Sequence, residues 1–194
     1  MVERVTDVTR ALADAAGADN AGAVRELLAR GANPCARLDD GSTPLSAAAA
    51  ALAPAAARVL LVAAVRARQA AVIAAARAAV QAAVASGLPP EIPAMPPHPL
   101  ELRDACGRTA LHRVYDRRAG WVPPADAPVS AGSVAERERA ARKATLSAFL
   151  PDDDDSARAV LDARDATGAT VAMLAARAGD GEALLLLSLI HISE

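Results

Sequence analysis

Three short segments of this 194-residue chain repeat one another. In each, an arginine is followed four residues later by a glycine, and a threonine follows two residues after the glycine. The sets are Arg37, Gly41 and Thr43; Arg103, Gly107 and Thr109; and Arg164, Gly168 and Thr170. Glycine accepts the left-handed backbone of a turn, and threonine can cap the start of a helix. A repeated turn and helix start is typical of a stacked helical array, which offers a surface rather than a pocket.

The composition of the chain and its helix-breaking residues predict an all-α fold with a core of small side chains. Hydrophobic residues make up 53% of the chain, most of them are alanine, and Tyr115, Trp121 and Phe149 are the only aromatic residues. The net charge of −2 gives no overall attraction to nucleic acid. Cys35 and Cys106 fit no metal or redox spacing, so no cofactor or metal is predicted. The N-terminus has no apolar run, and the expected location is intracellular, in the cytoplasm.

The most unusual segment is Pro54 to Ser86, which is rich in alanine and contains no strong helix breaker. Its composition predicts one continuous helix of about 33 residues, roughly 50 Å long. Arginines interrupt its apolar character, which argues against a membrane span. We expect this helix to protrude from the array while packing partly on it. The alternative is a helix for a partner or for self-association, although a strict heptad is absent.

Two further segments are predicted to be loops. Gly87 to Leu100 contains six prolines and is expected to be an extended, mobile linker. Residues 152–155 are four consecutive aspartates, which lack the alternating oxygen ligands and the glycine turn of a calcium site.

The repeated segments closely resemble ankyrin repeats. The second unit has Gly41-Ser42-Thr43-Pro44-Leu45, and the third has Asp104 followed by Gly107-Arg108-Thr109-Ala110-Leu111-His112. The fourth has Asp165 to Gly168 and then Leu174-Ala175-Ala176, and the first is recognisable from Glu26-Leu27-Leu28 before Gly31-Ala32-Asn33. The resemblance implies an ankyrin-like solenoid of about four helix-turn-helix repeats with alanine-rich and proline-rich insertions.

The spacing departs from that family. The second Arg-Gly-Thr set follows the first by 66 residues, and the third follows the second by 61, whereas ankyrin units recur about every 33 residues. Insertions are favoured over undetected degenerate repeats. The units are placed near residues 9–37, 38–62, 102–150 and 163–187, with insertions near 63–100 and 118–133. Residues 188–194 resemble a translated sequencing adapter and are expected to be a non-native tail, the alternative being an exposed apolar tail.

The resemblance also implies function. His112 would be structural, bonding Thr109 or the next turn, and no catalytic set can be argued from spacing. The chain is therefore expected to be a non-catalytic protein–protein interaction module, a scaffold or adaptor that contacts another protein through its turn tips and first helices. The candidate contact residues are Asp39, Asp40, Ser42, Ala105, Arg108, Arg113, Thr167 and Ala169. One alternative is the recognition module of a larger, C-terminally truncated enzyme such as a ligase or transferase. Another is self-association through residues 54–86 or through the exposed C-terminal edge.

Overall fold

A computed structural model of the chain describes residues 2–91, 94–115, 133–150 and 159–191, and every regular element in these ranges is helical. The all-α prediction is confirmed. The α-helices are α1 (Val2–Gly17), α2 (Ala21–Ala29), α3 (Pro44–Ala50), α4 (Pro54–Ser86), α5 (Ala110–Arg113), α6 (Val134–Phe149), α7 (Val171–Ala178) and α8 (Gly181–His191). A 3-10 helix spans Pro99–Glu101.

Local sequence signals explain most helix ends. The Thr43 hydroxyl accepts from the Ser46 N–H at 3.2 Å and caps α3, with Pro44 at its first position. Gly87 ends α4 in the left-handed conformation. Two helices extend past the predicted limits of their units. Helix α1 begins at Val2, before the predicted start of the first unit near residue 9, and α8 continues through His191, past the predicted end of the fourth unit near residue 187.

The core lies where α3 packs between α1, α4 and α5, and where α4 packs on α2 and α6. Its residues are mainly alanine, leucine and valine, with Phe149 as the buried aromatic side chain. Ala48, Ala49, Ala56 and Ala57 are fully buried, so α3 and α4 can approach closely. This arrangement agrees with the small-residue core expected from the composition.

Helix α4 has a packed half and an exposed half. Its buried residues are Ala56, Ala57, Leu60 and Ala64, whereas Ile73, Val80 and Val84 are 51–80% exposed. The prediction of one long helix that packs only partly on the rest is confirmed. In the described part of the chain, α4 is also the one helix long and apolar enough to cross a membrane, judged by length and composition only. A single helix of this kind is weak evidence of a membrane segment.

The proline-rich segment is anchored at its C-terminal end. Arg68 on α4 donates from Nε to the Pro96 carbonyl oxygen at 2.8 Å, and Pro99 and Leu100 are buried. The prediction of a freely mobile linker is therefore wrong for residues 96–100, because Leu100 belongs to the core. Most of the second predicted insertion, 118–133, and the four aspartates lie outside the described residues.

Candidate functional site

The three Arg-Gly-Thr segments form one turn three times. In each, the arginine donates from Nη1 to the carbonyl oxygen of its own glycine. The distances are 3.1 Å for Arg37 to Gly41, 2.8 Å for Arg103 to Gly107 and 3.0 Å for Arg164 to Gly168. All three glycines have φ between +71° and +79°, the left-handed region that a turn of this shape requires.

The turns also stack directly on one another. Arg37 Nη1 donates to the carbonyl oxygen of Arg103 at 2.6 Å, and Arg103 Nη1 donates to the carbonyl oxygen of Arg164. Backbone bonds run beside these contacts, from the Ala105 N–H to the Asp40 carbonyl at 3.4 Å and from the Ala166 N–H to the Cys106 carbonyl at 3.2 Å. The repeated arginine therefore bridges each turn to the next. The sequence showed this arginine at all three positions, but its role was missed.

Gly107 offers a direct test of this stacking. A Cβ atom at Gly107 would lie 3.1 Å from the Ala166 backbone nitrogen, whereas a Cβ atom at Gly168 would meet nothing within 4 Å. Both glycines have positive φ, so alanine is strained at either, by about 1–2 kcal/mol. Gly107→Ala should lower the free energy of unfolding by about 1 kcal/mol more than Gly168→Ala, because it also pushes the neighbouring turn away. Urea unfolding of both variants measures the difference, and equal losses would contradict the stacking.

Aspartates hold the second and third turns from inside. Asp104 Oδ1 accepts from the Cys106 and Arg108 N–H groups at 2.8 and 3.0 Å. Asp165 Oδ1 does the same for Thr167 and Ala169 at 2.8 and 3.0 Å, and the hydrogen bond from the Thr167 hydroxyl lowers the pKa of Asp165. In the first turn, Leu38 stands at the position of this aspartate.

In that first turn, a neighbouring carboxylate takes over part of the role. Asp40 Oδ1 accepts from the Ser42 N–H at 2.9 Å and from the Ser42 hydroxyl at 2.5 Å. The hydroxyl bond lowers the pKa of Asp40. The first turn therefore keeps an internal acceptor, placed two residues later than in the other turns.

His112 links the third unit to the fourth. Its Nδ1 lies 2.8 Å from the Thr109 hydroxyl, and its Nε2 lies 3.0 Å from the Ala169 carbonyl oxygen. Because a carbonyl oxygen only accepts, Nε2 carries the hydrogen and Nδ1 accepts from threonine. The side chain is buried, and burial lowers its pKa, so the imidazole is neutral at pH 7. The prediction that His112 bonds Thr109 or the next turn is confirmed, since it does both.

The corresponding positions in the neighbouring units do not make this link. Ser46 Oγ accepts from the Thr43 N–H at 2.7 Å and donates to the Thr43 carbonyl oxygen, so it bonds within its own turn. The Met173 side chain is exposed. Among the described residues, His112 is the histidine that joins two units in this way.

The structure brings the predicted contact residues onto one edge but does not expose all of them. Asp39, Asp40, Ala105 and Thr167 are exposed, and Asp39 forms an ion pair with Arg10 at 2.9 Å. Ser42 and Ala169 are buried, so their side chains add little to the exposed edge.

The other predicted contact residues take part in internal bonds. Asp40 bonds Ser42, as described above. Arg108 lies 3.0 Å from Asp104 in an ion pair, and Arg113 Nη1 lies 3.7 Å from the same carboxylate. Asp104 is almost fully covered at its side chain, so this cluster holds the turn together. The row of turns therefore offers a partner a narrower exposed edge than the sequence indicated.

Two grooves beside α4 were missed. One is lined by residues of α2 and α4, and the other by residues of α4, the chain before the 3-10 helix and the C-terminal end of α6. Arg58, Val62 and Arg66 line both. The signal available in the sequence was the charge of Pro54–Ser86, which has four arginines and no acidic residue. The depth of the grooves depends on how α2 and α6 pack, and a local sequence pattern does not predict that packing.

Comparison with known proteins assigns no family. No protein-family model matches the chain, and no curated protein matches it. Within the described ranges, no group of three or more histidine, cysteine, aspartate or glutamate residues could hold a metal ion. The stacked turns and the His112 link are therefore the features on which a proposal about function can rest.

Proposed function

We propose that this chain is an ankyrin-type helical repeat whose function is to bind another protein, without catalysis of its own. The observation that carries the proposal is the row of three similar turns, in which Arg37 and Arg103 each bond their own turn to the next. Three units joined in the same way form a rigid strip, because each turn fixes the position of its neighbour. A rigid strip with exposed tips suits protein recognition, since little ordering is needed on binding.

The details of the turns support the ankyrin type in particular. Thr109 and His112 are bonded as the family pattern implies, and the histidine reaches the following turn. The wide spacing of the units is compatible with this type, because the Gly41 and Gly107 turns are in contact. The described residues between them form α3, α4 and the 3-10 helix and place no further turn between the two, which supports insertions over undetected repeats.

The proposal is tested by selecting protein binders from a displayed expression library with the full chain as bait. Each binder is then measured by calorimetry against purified variants. Ala105→Arg and Thr167→Arg change exposed turn tips, and Ala85→Arg makes the same kind of change at the exposed end of α4. A protein that binds the turn tips should bind the two tip variants with an affinity reduced about tenfold or more. It should bind the Ala85→Arg control with unchanged affinity. A library that yields no reproducible binder would contradict the proposal.

A further inference from the structure

The grooves beside α4 combine open volume with uncompensated positive charge. The groove between α2 and α4 has a volume of about 580 Å³, and the groove on the other side of α4 has about 640 Å³. Both lie in the size range of ligand sites. The first, which we call the arginine groove, is lined by Arg25, Arg58 and Arg66 and by the apolar side chains of Leu28, Val59 and Val62. Arg58 and Arg66 stand on the ridge between the two grooves, so a bound segment could contact them from either side.

None of the three arginines is neutralised within the described part of the chain. The ion pairs found there involve Arg10, Arg108, Arg113, Arg142 and Lys143. Of the residues that the structure describes, those that line the two grooves include no acidic residue. Helix α4 itself supplies no negative charge to these arginines, because Pro54–Ser86 contains no aspartate or glutamate. Guanidinium groups bind carboxylates with two parallel hydrogen bonds, which makes a carboxylate the matching group for this surface.

We infer that the arginine groove is a docking site for an acidic amphipathic segment of a partner protein. Carboxylates of that segment pair with Arg25, Arg58 and Arg66, and its apolar side chains cover Leu28, Val59 and Val62. The inference rests on the proposed function and specifies its partner chemistry, but it places the contact on α2 and α4 rather than at the turn tips.

The charge and shape of the groove favour this occupant over others. A second copy of the same face would bring arginines against arginines, with no carboxylate from α4 to pair them. Nucleic acid would supply negative charge but would leave the apolar floor uncovered. A lipid surface is a poorer fit, because the groove is a concave surface between two packed helices, and Leu60 and Ala64 of this stretch of α4 are already buried in the core. An acidic segment with apolar side chains satisfies both the charges and the floor.

The test starts from a random peptide library displayed on phage and selected on the full chain. We expect the enriched peptides to carry aspartate or glutamate interspersed with leucine, isoleucine, valine or phenylalanine. The most enriched peptide is synthesised with a fluorophore, and its Kd is measured by anisotropy. Because the contact is between opposite charges at a surface, its Kd should rise as NaCl is raised from about 50 mM to about 500 mM. Enriched peptides that are neutral or basic would overturn the inference.

Two variants with the same net charge place the binding site. The groove variant combines Arg25→Gln, Arg58→Gln and Arg66→Gln. The control combines Arg30→Gln, Arg77→Gln and Arg177→Gln, three exposed arginines that line neither groove. The groove variant should weaken peptide binding about tenfold or more and the control about twofold or less. Circular dichroism and urea unfolding of both verify that they remain folded.

The remaining outcomes separate this inference from the proposed function. If the two triple variants weaken peptide binding equally, or if binding is lost only in Ala105→Arg and Thr167→Arg, the arginine groove is not the docking site. Either result would still agree with the proposed function of protein binding. A selection that enriches no peptide and no library protein would contradict both the inference and the proposed function. Stronger binding of the chain to vesicles containing about 30% phosphatidylserine than to any selected peptide would overturn the inference in favour of a lipid surface.

Discussion

Leu60→Ala should lower the free energy of unfolding by about 2–5 kcal/mol, the usual cost of removing a buried leucine side chain. Leu60 is fully buried in the packed half of α4 and belongs to the core that α4 shares with its neighbours. Ile73 lies thirteen residues further along the same helix and is 51% exposed. Ile73→Ala is therefore the matched control, and it should change the free energy by about 0.5 kcal/mol or less.

Urea unfolding followed by circular dichroism measures both variants. Similar losses for Leu60→Ala and Ile73→Ala would mean that the C-terminal half of α4 is packed as tightly as its first half. Such a result would contradict the division of α4 into a packed half and an exposed half.

The second large effect is expected at His112. His112→Ala removes two buried hydrogen bonds, leaves the Ala169 carbonyl oxygen with the Asp165 N–H but without the imidazole donor, and opens a cavity between two units. The expected loss is about 2–4 kcal/mol. Met173→Ala is the control at the corresponding position of the fourth unit, where the side chain is exposed, and it should cost about 0.5 kcal/mol or less. Equal losses in urea unfolding would contradict the proposed link.

His112 also predicts how stability depends on pH. Burial lowers its pKa below the ordinary value of 6.5, opposed by the Ala169 carbonyl bond and by the Asp165 charge. The unfolded chain then binds a proton that the folded chain does not, so the contribution of His112 is present above pH 6.5 and is lost as pH falls through the folded pKa. The lowered pKa values of Asp40 and Asp165 act in the same direction, but below pH 3.8. Between pH 7 and pH 5, the wild type should therefore lose more stability than His112→Ala, and equal losses would contradict a neutral buried imidazole.

The sequence was a good guide to structure wherever one residue type has one local role. The glycines at the three turns have positive φ, the threonine before α3 caps it, and the alanine-rich stretch from Pro54 to Ser86 is one helix. These features depend on a few neighbouring residues, so a single chain is enough to predict them. The His112 bond to Thr109 belongs to the same group, because the two residues are one helical turn apart.

The sequence was a poor guide to contacts between distant segments. Nothing local shows that Arg37 donates to Arg103, or that Leu100 at the end of a proline-rich stretch is a core residue. The burial of Ser42 and Ala169 was not predicted for the same reason, since the burial of a turn residue depends on the unit stacked against it. The arginine groove could not be predicted because Arg25 lies on a different helix from Arg58 and Arg66.

The stacked turns also have a consequence for the speed of folding. In a compact repeat array, neighbouring units are about 33 residues apart, so each interface forms from local contacts. Here the contacts of Arg37 and Arg103 join segments 66 and 61 residues apart. Doubling the length of a closing loop costs only about 0.6 kcal/mol. Folding rates fall as contacts become less local, however, so we expect the turns to stack after α1, α2 and α3 have packed. We therefore expect the long segments between the turns to slow the stacking more than they weaken it.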